Sequence, residues 1–131
     1  MRVVLDTNVL VSALLNPEGA PGAVLDLVLV GVLLPVFDQR LVDEYREVLA
    51  RPRFGFAPEA VETIIGAIES GERVEGIPLG LNLPDPDDAP FVEVAVAAKA
   101  DALVTGNRRH FPATCGAAIL SPAELLQRLG P

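Results

Sequence analysis

Arg2-Val3-Val4-Leu5 is a short aliphatic run that stops abruptly at Asp6-Thr7-Asn8. A run with no polar alternation reads as a strand buried on both faces, the signature of a parallel sheet. Parallel strands need long crossovers, usually helical. The remaining chain supplies them.

After the Asp6-Thr7-Asn8 turn, residues 9–15 predict a short helix, ended by Asn16-Pro17-Glu18-Gly19. Pro21-Gly22 restarts the chain, residues 23–30 predict an apolar helix, and Gly31 closes it. Residues 32–37 form the second predicted strand. Pro35 inside it cannot donate to a central ladder, so the strand lies near an edge or the proline begins it. Asp38 is the expected N-cap of a helix over 39–50, where Leu41, Tyr45, Val48 and Leu49 make one apolar stripe. Pro58 opens another helix, with Val61, Ile64, Ile65 and Ile68 inward and Glu59, Glu62 and Glu69 outward. Residues 73–77 read as a weak third strand containing Gly76, followed by a loop over 78–84.

Asp85-Pro86-Asp87-Asp88 then precedes an Ala/Val-rich helix running to about Lys99. Residues 102–104 are a strand, Thr105-Gly106-Asn107 a turn, and 108–112 a turn or one short helical turn. Residues 117–120 are the last strand. Ser121-Pro122-Ala123-Glu124 is a capping box for a final helix that ends at Gly130. Strands alternate with helices throughout. The expected fold is α/β in three layers, with a mostly parallel central sheet of about five strands and a single domain over 1–131.

Composition narrows the class. With 131 residues, 50% of them hydrophobic, the chain can fill a core. Its mean hydropathy is +0.41 and its pI about 4.5. A net charge of −8 is the wrong sign for holding nucleic acid by charge alone, so such contact needs a local basic patch or a bound cation. Cys115 is the only cysteine, which rules out an internal disulfide, and it reads as a small buried or half-buried side chain. No apolar run spans a bilayer and no leader is evident, so a soluble cytoplasmic protein is expected, with no membrane contact.

In such folds ligands bind at the carboxyl edge of the sheet. Asp6, Asn107 and the Asp85–Asp88 stretch all fall at junctions on that edge, and Glu44 lies about a turn and a half into the helix after the second strand. Each has a bland alternative. Asp6 and Asp88 suit helix caps, Glu44 a helix flank, and Thr105-Gly106-Asn107 a turn. Their convergence favours a shared ion, because unpaired carboxylates gathered in one place repel and a hard divalent cation removes that penalty. All-oxygen donors suit Mg²⁺ or Mn²⁺ rather than zinc. His110, the only histidine, is expected to contact substrate or solvent rather than metal.

Those residues resemble a known family. Val3-Val4-Leu5-Asp6-Thr7-Asn8, Glu44 in an early helix, Asp85-Pro86-Asp87-Asp88 before Phe91-Val92-Glu93-Val94-Ala95, and Leu103-Val104-Thr105-Gly106-Asn107 are similar to the motifs of PIN-domain nucleases. The nearest likeness is to small prokaryotic toxin components of toxin–antitoxin pairs. The resemblance implies a Mg²⁺- or Mn²⁺-dependent ribonuclease acting on single-stranded RNA. It places the catalytic set at Asp6, Glu44, Asp88 and Asn107, and metal ligation at Asp6, Asp88, Glu44 and the auxiliary Asp85. Thr7, Asn8 and Thr105 become supports. Arg108 and Arg109 become phosphate contacts, with Arg51 and Arg53 weaker candidates. The family commonly has Asp where this chain has Asn107, and an amide contributes no charge. A small antitoxin covering the acidic edge is implied. A homodimer is expected because the helices over 23–30 and 58–69 are more apolar than one small domain needs.

The competing reading is a non-catalytic module of the same fold that binds Mg²⁺, RNA or a partner; Asn107 is the residue that favours it. A haloacid-dehalogenase-type phosphatase needs a second Asp where Asn8 stands. A receiver domain needs a late lysine where Ser121-Pro122 stands.

Overall fold

The computed structural model describes residues 1–112 and 116–130. β1 (Arg2–Leu5) lies at the centre of a five-stranded sheet. The chain continues through α1 (Thr7–Leu15), α2 (Ala20–Leu29), β2 (Leu34–Phe37), α3 (Gln39–Leu49), α4 (Pro58–Glu69) and β3 (Glu72–Arg73). A 3-10 turn over Pro86–Asp88 leads into α5 (Ala89–Ala98) and β4 (Ala102–Val104). A second 3-10 turn, Arg108–His110, precedes β5 (Ala118–Leu120) and α6 (Pro122–Leu129). The strand order is β3-β2-β1-β4-β5 and every pairing is parallel. The fold is the expected three-layer α/β/α arrangement.

Val3, Val4 and Leu5 are buried because β1 has a strand on each side, β2 and β4, with α5 packed across it. α2 packs against α1, α4 and α6. The apolar stripe of α4 is spent inside the chain, since Val61, Ile64, Ile65 and Ile68 are all buried. Of the two helices expected to carry surplus apolar surface, α2 leaves Leu29 and the following Val30, Val32 and Leu34 in solvent, while Met1, Leu15, Ile77, Leu79 and Val96 are exposed elsewhere. The predicted apolar excess therefore reduces to one end of α2.

Several boundaries differ from the sequence expectation, each for a local reason. α1 starts at Thr7 rather than residue 9, because Asp6 takes the extended conformation of an N-cap. α2 starts at Ala20, with Pro21 in its first turn, where a missing N–H costs nothing. Pro35 pairs opposite Val3, and β3 pairs only with Val36 and Phe37, so the ladder on that side begins after the proline. The third strand is two residues long, not the expected 73–77. Beyond it the backbone donors turn to carboxylates: Gly76 N–H donates to Asp38 Oδ2 (3.2 Å) and Leu79 N–H to Glu93 Oε2 (2.9 Å). Gly76 suits the close approach there, since a Cβ would stand 2.5 Å from the Arg40 guanidinium and 3.1 Å from the backbone nitrogen of Val94, and Arg40 would have to shift. The predicted caps hold. Asp38 accepts from Leu41 N–H, and Ser121 and Glu124 close a capping box. Cys115 lies outside the described residues, and among those described no helix is long and apolar enough to cross a membrane.

Candidate active site

The strand order reverses between β1 and β4, and a crevice outside the carboxyl ends of the strands forms where that happens. Asp6 leaves β1 on one side of it and Thr105 leaves β4 on the other. The Thr105 hydroxyl donates to Asp6 Oδ2 at 2.7 Å and accepts from Asn107 N–H at 2.9 Å. Asn8 closes the same gap from α1, its Oδ1 accepting from Gly106 N–H at 3.2 Å. Asn8 and Thr105 thus bind the two halves of the crevice together, and Thr105 holds the Asp6 carboxylate.

Glu44 arrives from α3. Its carboxylate accepts from the Thr7 hydroxyl. Its neighbour Tyr45 is fully buried and donates to the Leu5 carbonyl at 2.5 Å, with its ring against Phe91. Tyr45 therefore hooks α3 onto the end of β1 one residue before Asp6, and so sets the depth of Glu44. Sequence reading counted Tyr45 only as core; its hydroxyl, at a helix position facing a strand end, was the available signal.

The acidic stretch completes the group and divides its labour. Asp85 spends Oδ1 on Asp87 N–H at 3.0 Å, which makes it the cap of the 3-10 turn. Asp88 turns inward. Its Oδ2 is buried and has no hydrogen-bond partner among the described residues. His110 Nδ1 lies 3.3 Å from that oxygen, outside hydrogen-bonding alignment, and the His110 ring also meets Asn107 Nδ2 at 3.0 Å. His110 thus bridges the last two predicted site positions. Sequence reading placed it against substrate or solvent and missed this role; its spacing of three residues from Asn107 across a turn was the available signal.

The electrostatics follow from the crowding. Burial pushes the Asp6 carboxyl above its ordinary range, with the Thr105 hydrogen bond opposing. Burial likewise raises Glu44, helped by the charges of Asp6 and Asp87. Asp88 rises to about 6, through burial first and then the charges of Asp6 and Asp85. Burial and the charges of Asp6 and Glu44 hold the Tyr45 hydroxyl protonated well past its usual range. No lysine or arginine among the described residues bonds to Asp6, Glu44 or Asp88.

This chemistry fits a hard cation: an all-oxygen set with one orphaned buried oxygen. Asp6, Glu44 and Asp88 act on one another by charge, though among the described residues no three acids are gathered at coordination spacing. Asp85 stands behind Asp88 and acts on it by charge.

A PIN domain profile matches residues 2–109, a span that holds every acid of this crevice. The chain belongs to the PIN-domain family. PIN domains are generally nucleases and typically use divalent metals. The chain is also 31% identical over 121 aligned positions to an uncharacterized protein of Methanocaldococcus jannaschii, covering 82% of this chain and 72% of that protein. The PIN match ends within the Arg108–His110 turn, so α6 lies beyond it.

The basic candidates separate cleanly. Arg108 is engaged with Glu124 at 2.9 Å, whereas Arg109 is exposed and makes no hydrogen bond or ion pair among the described residues. Arg51 pairs with Glu47 one helical turn away, and Arg53 lies 4.8 Å over the Phe54 ring. Those local partners account for Arg51 and Arg53.

Proposed function

We propose that this PIN domain, a single unit over the whole chain, is a Mg²⁺- or Mn²⁺-dependent endoribonuclease that hydrolyses phosphodiester bonds in single-stranded RNA. The observation that carries the proposal is Asp88 Oδ2, buried without a hydrogen bond among mutually repelling acids and with the His110 ring beside it. Buried carboxylates are normally paired, and here the missing partner is a cation.

Asp6 and Asp88 would hold the cation, with Glu44 at the margin and Asp85 reinforcing the negative field. The bound cation supplies Lewis acidity to the phosphodiester and to the attacking water. The side chains do the rest. Thr105 and Thr7 fix the directions of the Asp6 and Glu44 carboxylates, as outer partners of a metal site do. Glu44, half-buried and raised in pKa, accepts the proton of the attacking water. The water oxygen bonds to phosphorus, the bond to the leaving oxygen breaks, and that oxygen takes a proton from solvent. Asn107 positions His110 beside Asp88 and brings no charge of its own. The test is digestion of assorted RNA and DNA with Mg²⁺, Mn²⁺ or chelator. Metal-dependent RNA cleavage lost in Asp6→Asn supports the proposal; no cleavage by the unmutated protein under any metal overturns it.

The motif resemblance further supports a toxin-type role in the cytoplasm, with a small antitoxin covering the acidic edge. Co-expression with a small neighbouring reading frame tests it: a complex that suppresses cleavage is the expected outcome. The exposed end of α2 supports a homodimer, checked by elution volume at micromolar concentration. The second reading, a non-catalytic Mg²⁺-, RNA- or partner-binding module, is favoured by Asn107 alone, and the same digestion decides against it or for it.

A further inference from the structure

A cleft of about 590 Å³ opens at the carboxyl ends of β4 and β5, beside the acids but not among them. Asn107, Arg108 and Arg109 form one wall, Ser121 stands at the other, and Phe111 and Ile119 line it with apolar surface. The volume lies within the roughly 300–1,000 Å³ range of sites that enclose small organic ligands. The Thr105 hydroxyl joins it to the acids, bonding Asp6 on one side and Asn107 N–H on the other. Neighbouring strands are about 4.8 Å apart, so the cleft, at the ends of β4 and β5, lies one to two strand spacings from the strand that ends at Asp6.

Its walls combine two chemistries. Phe111 is buried and Ile119 half-buried, an apolar surface suited to a planar ring. Two successive arginines, Arg108 and Arg109, line it in a chain whose net charge is −8. They are not equivalent. Glu124 holds Arg108 while its other oxygen accepts from Ser121 N–H in the capping box, so the wall is tied to the start of α6. Arg109 makes no hydrogen bond or ion pair among the described residues.

We infer that this cleft is a nucleotide subsite: it takes the base next to the acid cluster against Ile119 and the edge of Phe111, and Arg109 takes that nucleotide's phosphate. The placement beside a scissile bond rests on the nuclease reading; the occupancy itself does not. A base still stacked and paired in a duplex has no free face to lay against Ile119 and Phe111, so the site takes unpaired strands. Arg108 is part of the wall and not a phosphate contact.

Fluorescence anisotropy with a labelled eight-nucleotide single-stranded RNA, and with the same RNA in duplex, reads the site. The Asp6→Asn protein with Mg²⁺ prevents cleavage during the measurement. Arg109→Ala and Ile119→Asp should each weaken single-strand binding by about tenfold or more, in line with the loss of one base contact. Arg128→Ala, the same charge change at an exposed α6 residue that does not line the cleft, should leave it unchanged. Arg109 is exposed, so its truncation keeps the test decisive even where Ile119→Asp unfolds. Unchanged affinity in Arg109→Ala, an equal loss in Arg128→Ala, duplex bound as well as single strand, or no binding at all would each overturn the subsite. Digestion by the unmutated protein is scored separately. The expected binding pattern without digestion sinks only the nuclease reading, and digestion with unaltered binding in the variants sinks only the subsite.

Discussion

Two groups of wholly or partly buried acids flank α3, and among the described residues arginine neutralises only one of them. Asp38 and Glu93 share Arg40, which donates to Asp38 Oδ2 through Nε and Nη2 (3.1 and 2.9 Å) and to Glu93 Oε1 at 2.7 Å. Their remaining oxygens take backbone N–H groups of Leu41 and Leu79, so no acceptor is idle. Hydrogen bonding to Glu93 in turn raises the Arg40 guanidinium further above its ordinary range. Asp6, Glu44 and Asp88, gathered around the same helix, have among the described residues hydroxyl donors and one histidine but no arginine or lysine, and all three carboxyls are raised. The same residue types therefore serve opposite ends. The first set spends its charge on joining α3, α5 and the segment over 76–79 into one scaffold. The second keeps its charge available, at a cost in stability.

The largest expected effect falls on the un-neutralised set. Asp6→Asn and Asp88→Asn should each lower metal-dependent RNA cleavage by about 10³-fold, the order that Lewis-acid stabilisation supplies. Their melting temperatures should not fall. A variant that loses stability in step with activity would erase the distinction between the two groups.

Arg40→Ala probes the other set. It strands two buried carboxylates, and we expect a loss of roughly 2–4 kcal/mol, somewhat under the ~3–5 for a fully buried pair because Arg40 is half exposed. Denaturant unfolding measures it, and cleavage per folded molecule should survive. If Arg40→Ala is as stable as the parent, the scaffold role is wrong.

Metal addition separates the groups without the assay. Mg²⁺ or Mn²⁺ at about 100 times its dissociation constant should stabilise the parent by about 2.7 kcal/mol. Asp88→Asn should lose most of that gain, and Glu93→Gln should retain it. A calorimetric scan with and without chelator reads both.

The smallest effect is a pH dependence. Asp88 titrates near 6 in the folded protein against an ordinary 3.8, so the folded state binds more protons between those values. Stability then falls as pH rises through that window, and the raised Asp6 and Glu44 act in the same direction. Without metal, Asp88→Asn should match the parent near pH 3.5, gain on it through pH 4–6, and stay ahead by a few degrees of melting temperature at pH 7.5. A constant difference across the range would mean that Asp88 carries no such strain.

How legible each group was depends on distance along the chain. Asp6 and Thr105-Gly106-Asn107 stood out because each ends an apolar strand, and a strand end in a parallel sheet has a known edge. Glu44 stood out less, because a helix flank looks alike whether or not a hydroxyl hook turns it inward. Asp38 was readable as a cap, since capping is a three-residue affair. Its second role was not, because Arg40 and Glu93 are 53 residues apart and nothing local pairs them. The shortness of β3 was hidden for the same reason, as distant carboxylates took the donors a longer strand would have used.

The amino-acid order by itself determined the alternation, the strand ends and the helix caps, because those depend on neighbours within a few residues. It also placed acids at the junctions that a parallel sheet turns to one edge. Only the tertiary structure decided which acids gained an arginine and which did not. That choice rests on burial and on contacts between segments brought together by folding, and a carboxylate's charge has no fixed meaning until its surroundings are set.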